Sequence, residues 1–252
     1  MVRSVSSLHL RTIGLCSAGV SPAVAQASCP RPLAGAGRSR DSGRDPDRSG
    51  QAARTTSSHC RILGKPALHY SVGGISYRVS PGSFFQVSRF LTPELVTSVT
   101  GEEQGELALD LFAGVGLFSL PLARRFERVV AAEANPIAAS DLKANAEANG
   151  LLNLRAAGGT TYDFLRRFAQ REPDLVVMDP PRAGVDVGSL KLLAALRPRK
   201  IHYLSCSPST LARDLNFLLR HAYRVHAIEL FELFPQTYHI EALAKLAYNG
   251  PA

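Results

Sequence analysis

Two side chains with catalytic chemistry stand next to short apolar runs of the sequence, Cys206 and Glu241. Cys206 follows the run 201–205 and precedes a helical stretch, where the partial positive charge of a helix N-terminus favours a thiolate and therefore a nucleophile. Glu241 is followed by Ala242 and Leu243. Apolar surroundings raise the pKa of a carboxyl group, so this residue can accept a proton near neutrality. The alternative for the cysteine is a small buried hydrophobic residue.

A loop with two prolines carries two further charged groups, Asp179 and Arg182. Proline fixes its own backbone angle, so both groups are held with little freedom, although a surface turn tolerates the same residues. Arg182 argues against amino-methylating chemistry, in which an aromatic residue at this place stacks on a flipped base. His239 shares one face of an extended segment with Glu241, and we expect it to be a structural hydrogen-bond partner.

A third set of candidate functional residues begins in the segment 107–125, where a buried strand leads through a glycine loop into a helix. Gly114 and Gly116 allow a sharp bend and the approach of a ligand to backbone N–H groups. Asp110 can accept a hydrogen bond from a cationic amine, and Glu133, after the next apolar run, can hold ribose hydroxyls. The third glycine of the dinucleotide fingerprint is replaced by serine. These features predict S-adenosylmethionine, unless both carboxylates only cap turns.

Strand and helix patterns alternate along the second half of the chain. This alternation predicts an α/β fold with a doubly wound, mostly parallel, seven-stranded Rossmann-like sheet, whose last strand is antiparallel. Ligands bind such sheets at the carboxyl ends of the strands, where the polar groups above stand. The predicted strands are 107–112, 129–132, 152–156, 175–178, 201–205, 225–230 and 240–247.

The positive charge of the chain is concentrated before this sheet. The net charge is +8, of which residues 1–61 supply +6 from nine arginines and three aspartates. The excess is therefore no evidence that the folded part binds nucleic acid. The composition of 1–61 predicts a disordered basic tail, and its early arginines and serines also fit an organellar transit peptide. We expect 62–100 to form a hairpin and helix extension covering the cofactor site, and 101–252 to form the sheet domain.

Cysteine usage and hydropathy limit the function classes further. The four cysteines form no CxxC pair and no metal-finger spacing, so we expect no metal site and a reducing compartment, the cytoplasm. No apolar run approaches the length of a membrane span, so we expect no membrane partner. We also expect a monomer.

Five motifs, in one order over residues 68–248, resemble the S-adenosylmethionine-dependent RNA uracil-5-methyltransferases, bacterial enzymes that make 5-methyluridine in ribosomal or transfer RNA. The motifs are RVSPGSFFQVS, DLFAGVGLFSLPLA, DPPRAG, SCSPSTLARDL and LFPQTYHIEAL. The resemblance implies a class I methyltransferase domain at 101–252 and RNA as the substrate. It implies that Cys206 adds to C6 of the uracil and that Glu241 removes the C5 proton. It further implies cofactor-side contacts at Gln86, Phe112, Glu133 and Asp179.

The sequence departs from this family in several places. Family members are longer, with an N-terminal OB-like RNA-binding domain and often cysteines for a 4Fe–4S cluster; the spacing of Cys16, Cys29 and Cys60 predicts no cluster. Leu117 and Thr160 stand where the family has a polar residue and an acidic residue near the cofactor. Two alternatives therefore remain, a truncated, non-catalytic remnant that binds cofactor or RNA, and a small-molecule methyltransferase that needs no cysteine.

Overall fold

The fold is built on a mixed β-sheet with helices on both faces. The computed structural model describes the backbone of residues 9–13 and residues 66–86, 88, 90–168, 172–234 and 236–250. Within them the strands are β1 (His9–Ile13), β2 (Leu68–Val72), β3 (Ile75–Val79), β4 (Gly105–Asp110), β5 (Phe126–Glu133), β6 (Leu154–Gly158), β7 (Leu175–Met178), β8 (Lys200–Ser205), β9 (Tyr223–Phe231) and β10 (Glu241–Tyr248). The helices are α1 (Thr92–Thr100), α2 (Ser119–Ala123), α3 (Pro136–Ala148), α4 (Thr161–Arg167), α5 (Val187–Leu196) and α6 (Pro208–Leu219).

Eight strands join in the main sheet, in the order β1-β9-β10-β8-β7-β4-β5-β6. The neighbours from β8 to β6 are parallel, and β10 runs antiparallel to both β8 and β9. The four residues of β7 are all buried, as expected for a central strand that helices cover on both faces. The predicted α/β class, the doubly wound and mostly parallel sheet of seven strands, and the antiparallel last strand are confirmed.

The eighth strand, β1, lies in a segment for which the sequence predicted no regular structure. His9–Ile13 pairs in parallel with Ala227–Phe231 of β9 at the edge of the sheet. Five residues are too few to show a sustained alternation, and the strand forms by pairing with a segment more than two hundred residues away along the chain. The rest of residues 1–61, including three of the four cysteines, lies outside the described residues.

The β2–β3 hairpin is attached to α3 by polar side chains that stand four residues apart. Asn145 accepts from the N–H of Arg78 at 2.7 Å and donates to its carbonyl at 3.0 Å. Asn149 makes the same pair of bonds with the backbone of Ser76, two residues before Arg78 on β3. Asp141 accepts the N–H of Ser80 at 2.7 Å. A spacing of four lines one face of a helix, so these side chains form a row along the edge of β3.

The hairpin and α1 share a hydrophobic core with the sheet. Tyr77 of β3 is fully buried in this core, and its hydroxyl donates to the carbonyl of Leu117 in the glycine loop at 3.2 Å. The segment after β3 is therefore fixed beside the loop that follows β4. The longest described helix, α3, has 13 residues, and no helix in the described part of the chain is long and apolar enough to cross a membrane.

Candidate active site

A cavity of about 300 Å³ opens where β4, β5 and β7 end. This is the edge at which parallel sheets bind ligands. The segment after β3 contributes part of the wall. Five of the seven predicted cofactor residues line the cavity: Gln86, Phe112, Gly114, Glu133 and Asp179. The other two, Asp110 and Gly116, lie outside its lining.

The two glycines of the loop serve different purposes. Gly114 has a φ of +55°, and a Cβ placed on it would meet no atom within 4 Å, so its backbone faces open space. Gly116 has a φ of +97°, and a Cβ there would lie 2.3 Å from Leu120 and 2.6 Å from Leu142. Gly114 thus leaves room for a ligand, whereas Gly116 allows the loop to pack closely against α2 and α3.

Glu133 at the end of β5 organises the backbone beside the cavity. One carboxylate oxygen accepts the N–H of Gly114 at 2.7 Å, and the other accepts the N–H of Asn135 at 2.7 Å. Each oxygen keeps a further lone pair. The carboxylate therefore ties the glycine loop to the turn after β5 and still has acceptor capacity toward the cavity, as a ribose site requires.

Asp110 is a fully buried carboxyl group behind the glycine loop. The Ser119 hydroxyl donates to its Oδ2 at 2.5 Å, while its Oδ1 has no hydrogen-bond partner among the described residues. Burial raises the pKa of Asp110 to about 7, and Glu133 adds to the rise. Burial also raises the pKa of Asp179 in the cavity wall to about 8, together with the charges of Glu241 and Asp110. Asp179 in the cavity wall and Asp110 behind the glycine loop place acidic groups around the cavity, so a cationic ligand fits it. S-adenosylmethionine, with its sulfonium and ammonium groups, has this chemistry.

Strand register brings Cys206 and Glu241 together. Ala242 of β10 pairs with Ser205 of β8, and this is the last pair of the ladder at that end. Cys206 follows Ser205 and Glu241 precedes Ala242 in the chain, so both stand at the same end of the two paired strands. The charge of Glu241 acts on the Cys206 thiol, which agrees with this proximity. Cys206 is half-buried and Glu241 is 6% exposed. The two predicted catalytic residues therefore lie side by side, at the strand ends next to the cavity.

The charges around Cys206 favour its protonated form. Burial raises the pKa of the thiol, the carboxylates of Glu241 and Asp179 raise it further, and Arg182 opposes them. The helix N-terminus alone would favour the thiolate, but burial and two carboxylates outweigh it. Burial raises the pKa of Glu241 to about 7, again against the influence of Arg182. A carboxyl group that is half ionised at neutral pH thus stands beside a thiol that needs a proton acceptor.

The loop that carries Arg182 is held by side chains of α6, the helix that begins after Cys206. Thr210 donates to the carbonyl of Arg182 at 3.1 Å, and Arg213 donates to the next carbonyl at 2.9 Å. Asp214, which is fully buried, accepts an N–H of the same loop at 2.9 Å and the hydroxyl of Tyr203 at 2.7 Å. Helix α6 therefore holds the Arg182 loop and, through Asp214, also Tyr203 of β8.

Several residues that hold the site were not predicted. Asp141, Asn145 and Asn149 could have been found from the sequence, because they are spaced four residues apart. This spacing places polar side chains on one face of a helix, and this face packs on the hairpin. Asp214 carries no local signal, since its partners come from distant parts of the chain. Thr160 is the N-cap of α4 and accepts the N–H of Asp163 at 3.1 Å. Within the described residues, no group of three or more His, Cys, Asp or Glu side chains is arranged to hold a metal ion.

Proteins similar to this chain include RNA methyltransferases. A solved structure of the Pyrococcus abyssi tRNA (uracil-54, C5)-methyltransferase, in complex with S-adenosyl-L-homocysteine, matches with a TM-score of 0.66 and 33% identity, over 74% of this chain and 46% of that one. An RNA methyltransferase of Aquifex aeolicus is 39% identical over 73% of this chain and 44% of its own length. The 23S rRNA (uracil(1939)-C(5))-methyltransferase of Shewanella sp. (strain ANA-3) is 38% identical over 68% of this chain and 38% of its own length.

These matches cover most of the described residues. The chain spans less than half the length of each of these relatives. The family described as tRNA (uracil-5-)-methyltransferase matches residues 67–247, which include the β2–β3 hairpin, α1, the residues that line the cavity, Cys206 and Glu241. The chain therefore belongs to the tRNA (uracil-5-)-methyltransferase family.

Proposed function

We propose that this chain transfers a methyl group from S-adenosylmethionine to C5 of a uridine in RNA, with Cys206 as the nucleophile and Glu241 as the base. The observation that carries the proposal is the Ser205–Ala242 pair of β8 and β10, because Cys206 and Glu241 are the chain neighbours of these two residues at one end of the ladder. The raised pKa of Glu241, about 7, supports its role as the base. Family membership and the RNA substrates named for its relatives support it.

The residues that would hold the cofactor are those of the cavity. Glu133 would accept hydrogen bonds from the ribose, and Gly114 would leave its backbone accessible. Asp179 in the cavity wall and Asp110 behind the glycine loop would offset the positive charges. Gln86 and Phe112 supply a polar and an apolar wall. S-adenosylmethionine, when bound, supplies an electrophilic methyl group on a sulfonium sulfur.

Cys206 makes C5 of the uracil reactive. Its sulfur forms a bond to C6, and the electrons of the C5–C6 double bond move to C5 and O4 as an enolate. The thiol proton must leave as this bond forms, and the ionised fraction of Glu241 is the adjacent acceptor. That proton passes to solvent before Glu241 acts again.

Glu241 completes the reaction after the enolate carbon has taken the methyl group. Its carboxylate removes the proton on C5, and the electron pair of the C–H bond restores the C5–C6 double bond. The bond between C6 and sulfur breaks at the same time, and Cys206 leaves as a thiolate. The products are 5-methyluridine in RNA and S-adenosylhomocysteine.

RNA that contains 5-fluorouridine tests the proposal, because fluorine at C5 cannot be removed as a cation and the adduct persists. With S-adenosylmethionine, the protein should form an RNA adduct that survives denaturing electrophoresis. Cys206→Ala should form none, while it still binds S-adenosylhomocysteine in calorimetry, which shows that the fold and the cavity are intact.

Three other outcomes would contradict the proposal. Binding of S-adenosylhomocysteine without an adduct in the wild-type protein would indicate a non-catalytic remnant. Methyl transfer to a small molecule by Cys206→Ala would indicate a small-molecule methyltransferase. Absence of S-adenosylhomocysteine binding would refute the assignment of the cavity.

A further inference from the structure

A row of side chains leads outward from the reactive pair to the surface. Arg182 acts electrostatically on both Cys206 and Glu241. Its Nη2 lies 3.4 Å from both ring nitrogens of His239. The ring of His239 lies 4.2 Å from the ring of Tyr238, centroid to centroid. The row therefore runs from Cys206 through Arg182 and His239 and ends on the aromatic ring of Tyr238.

Tyr238 is 89% exposed, so its ring contributes little to the core. A buried aromatic ring stabilises the core, whereas an exposed one is free to stack on a ligand ring, as in proteins that bind single-stranded nucleic acids. The Tyr238 ring contacts the His239 ring at an interplanar angle of 44°, and Phe234 contacts His239 edge-on with a centroid distance of 6.0 Å. The Tyr238 ring thus touches His239 on one side, and most of its surface is left to solvent.

The turn that presents this ring is held by hydrogen bonds. The Thr237 hydroxyl donates to the carbonyl of Phe234 at 2.8 Å and accepts the N–H of His239 at 3.2 Å. A single threonine therefore connects the residues before and after Tyr238. The ring is presented at a defined place beside the site.

We propose that Tyr238, backed by His239, stacks on a base of the RNA that neighbours the target uridine. The proposal rests on the function proposed above. The target base itself must reach Cys206, whereas Tyr238 is connected to Cys206 through His239 and Arg182. Aromatic side chains stack on any base, so this contact adds affinity for single-stranded RNA without selecting its sequence.

Abasic scanning with 5-fluorouridine RNA tests this subsite. A short single-stranded RNA carries one 5-fluorouridine, and each neighbouring nucleotide is made abasic in turn; the second-order rate of adduct formation is measured. One abasic position should slow the wild-type protein roughly 5- to 150-fold, the range of one base–aromatic stack. Tyr238→Ala should be slowed by a similar factor on intact RNA and should not respond to that abasic position. Tyr238→Phe, which keeps the ring, should behave as the wild type.

The outcomes separate the subsite from the proposed function. If the wild type forms the adduct and Tyr238→Ala reacts at the same rate, the subsite is refuted and the methyltransferase proposal stands. If Tyr238→Ala forms the adduct more slowly on intact RNA, but each abasic position lowers its rate by the same factor as in the wild type, its defect is not the loss of a stacking contact. The subsite is then also refuted. If the wild type forms no adduct, both proposals fall. Binding of S-adenosylhomocysteine should be the same in wild type and Tyr238→Ala.

Discussion

The carboxyl group of Glu241 should lower the unfolding free energy of the protein near neutral pH, where it is proposed to act as a base. Burial raises its pKa from 4.5 to about 7, so its charged form is disfavoured in the folded protein. A group whose pKa is raised by folding adds stability below its unfolded pKa and loses this contribution as the pH rises through the folded pKa. Glu241→Gln keeps the shape and removes the charge. The variant should therefore gain stability over the wild type as the pH rises from 5 to 8.

The size of this gain follows from the two pKa values. Linkage gives about 2.5 kcal/mol between pH 5 and pH 8, and partial access of solvent reduces it to about 2 kcal/mol. Urea unfolding of wild type and Glu241→Gln at both pH values measures it, with Glu106→Gln, an exposed carboxylate of β4, as the surface control. A difference in unfolding free energy between wild type and Glu241→Gln that stays constant from pH 5 to pH 8 would refute the raised pKa, and with it the poised base.

Three further predictions concern the scaffold. Asp214→Ala leaves the buried hydroxyl of Tyr203 and a loop N–H without an acceptor and should lower the unfolding free energy in urea by about 3 kcal/mol, against about 1 kcal/mol for Tyr203→Phe; equal losses would contradict this account. Burial lowers the pKa of His202 to about 4, so its stabilising contribution is present above pH 6.5 and is lost as the pH falls toward 4. Between pH 8 and pH 5, the unfolding free energy of the wild type should fall by about 2 kcal/mol relative to that of His202→Asn. A difference in unfolding free energy between the two proteins that does not change with pH would refute the lowered pKa. Gly116→Ala should lower stability by roughly 2–4 kcal/mol and Gly114→Ala by about 1 kcal/mol in thermal unfolding, because only the former meets packed side chains; the reverse order would contradict the packing role.

The sheet could be predicted because its determinants are local. Each central strand is a short apolar run, and several helices begin at a recognisable residue, such as Asn135, whose side chain caps α3. The carboxyl ends of parallel strands share one edge, so the approximate position of the site follows from the order of the elements. Prediction failed for β1, which forms through pairing with a distant strand.

The apolar residues after Glu241 indicate its raised pKa, but the charges that act on Cys206 depend on distances in space and could not be predicted. The helix start beside Cys206 is visible in the sequence, whereas the two carboxylates that raise the pKa of the thiol come from other strands. The register of β8 and β10, which decides whether Glu241 faces Cys206, is likewise fixed by pairing and not by either strand alone. The rows of side chains that hold the hairpin and the Arg182 loop depend in the same way on tertiary contacts.

Analysis of the nucleosides of an RNA after reaction with S-adenosylmethionine tests the central claim most directly. The account predicts 5-methyluridine from the wild-type protein, none from Cys206→Ala, and a methylated RNA that stays covalently bound to Glu241→Gln. A methyl group at any position other than C5, or normal turnover by Cys206→Ala, would contradict it.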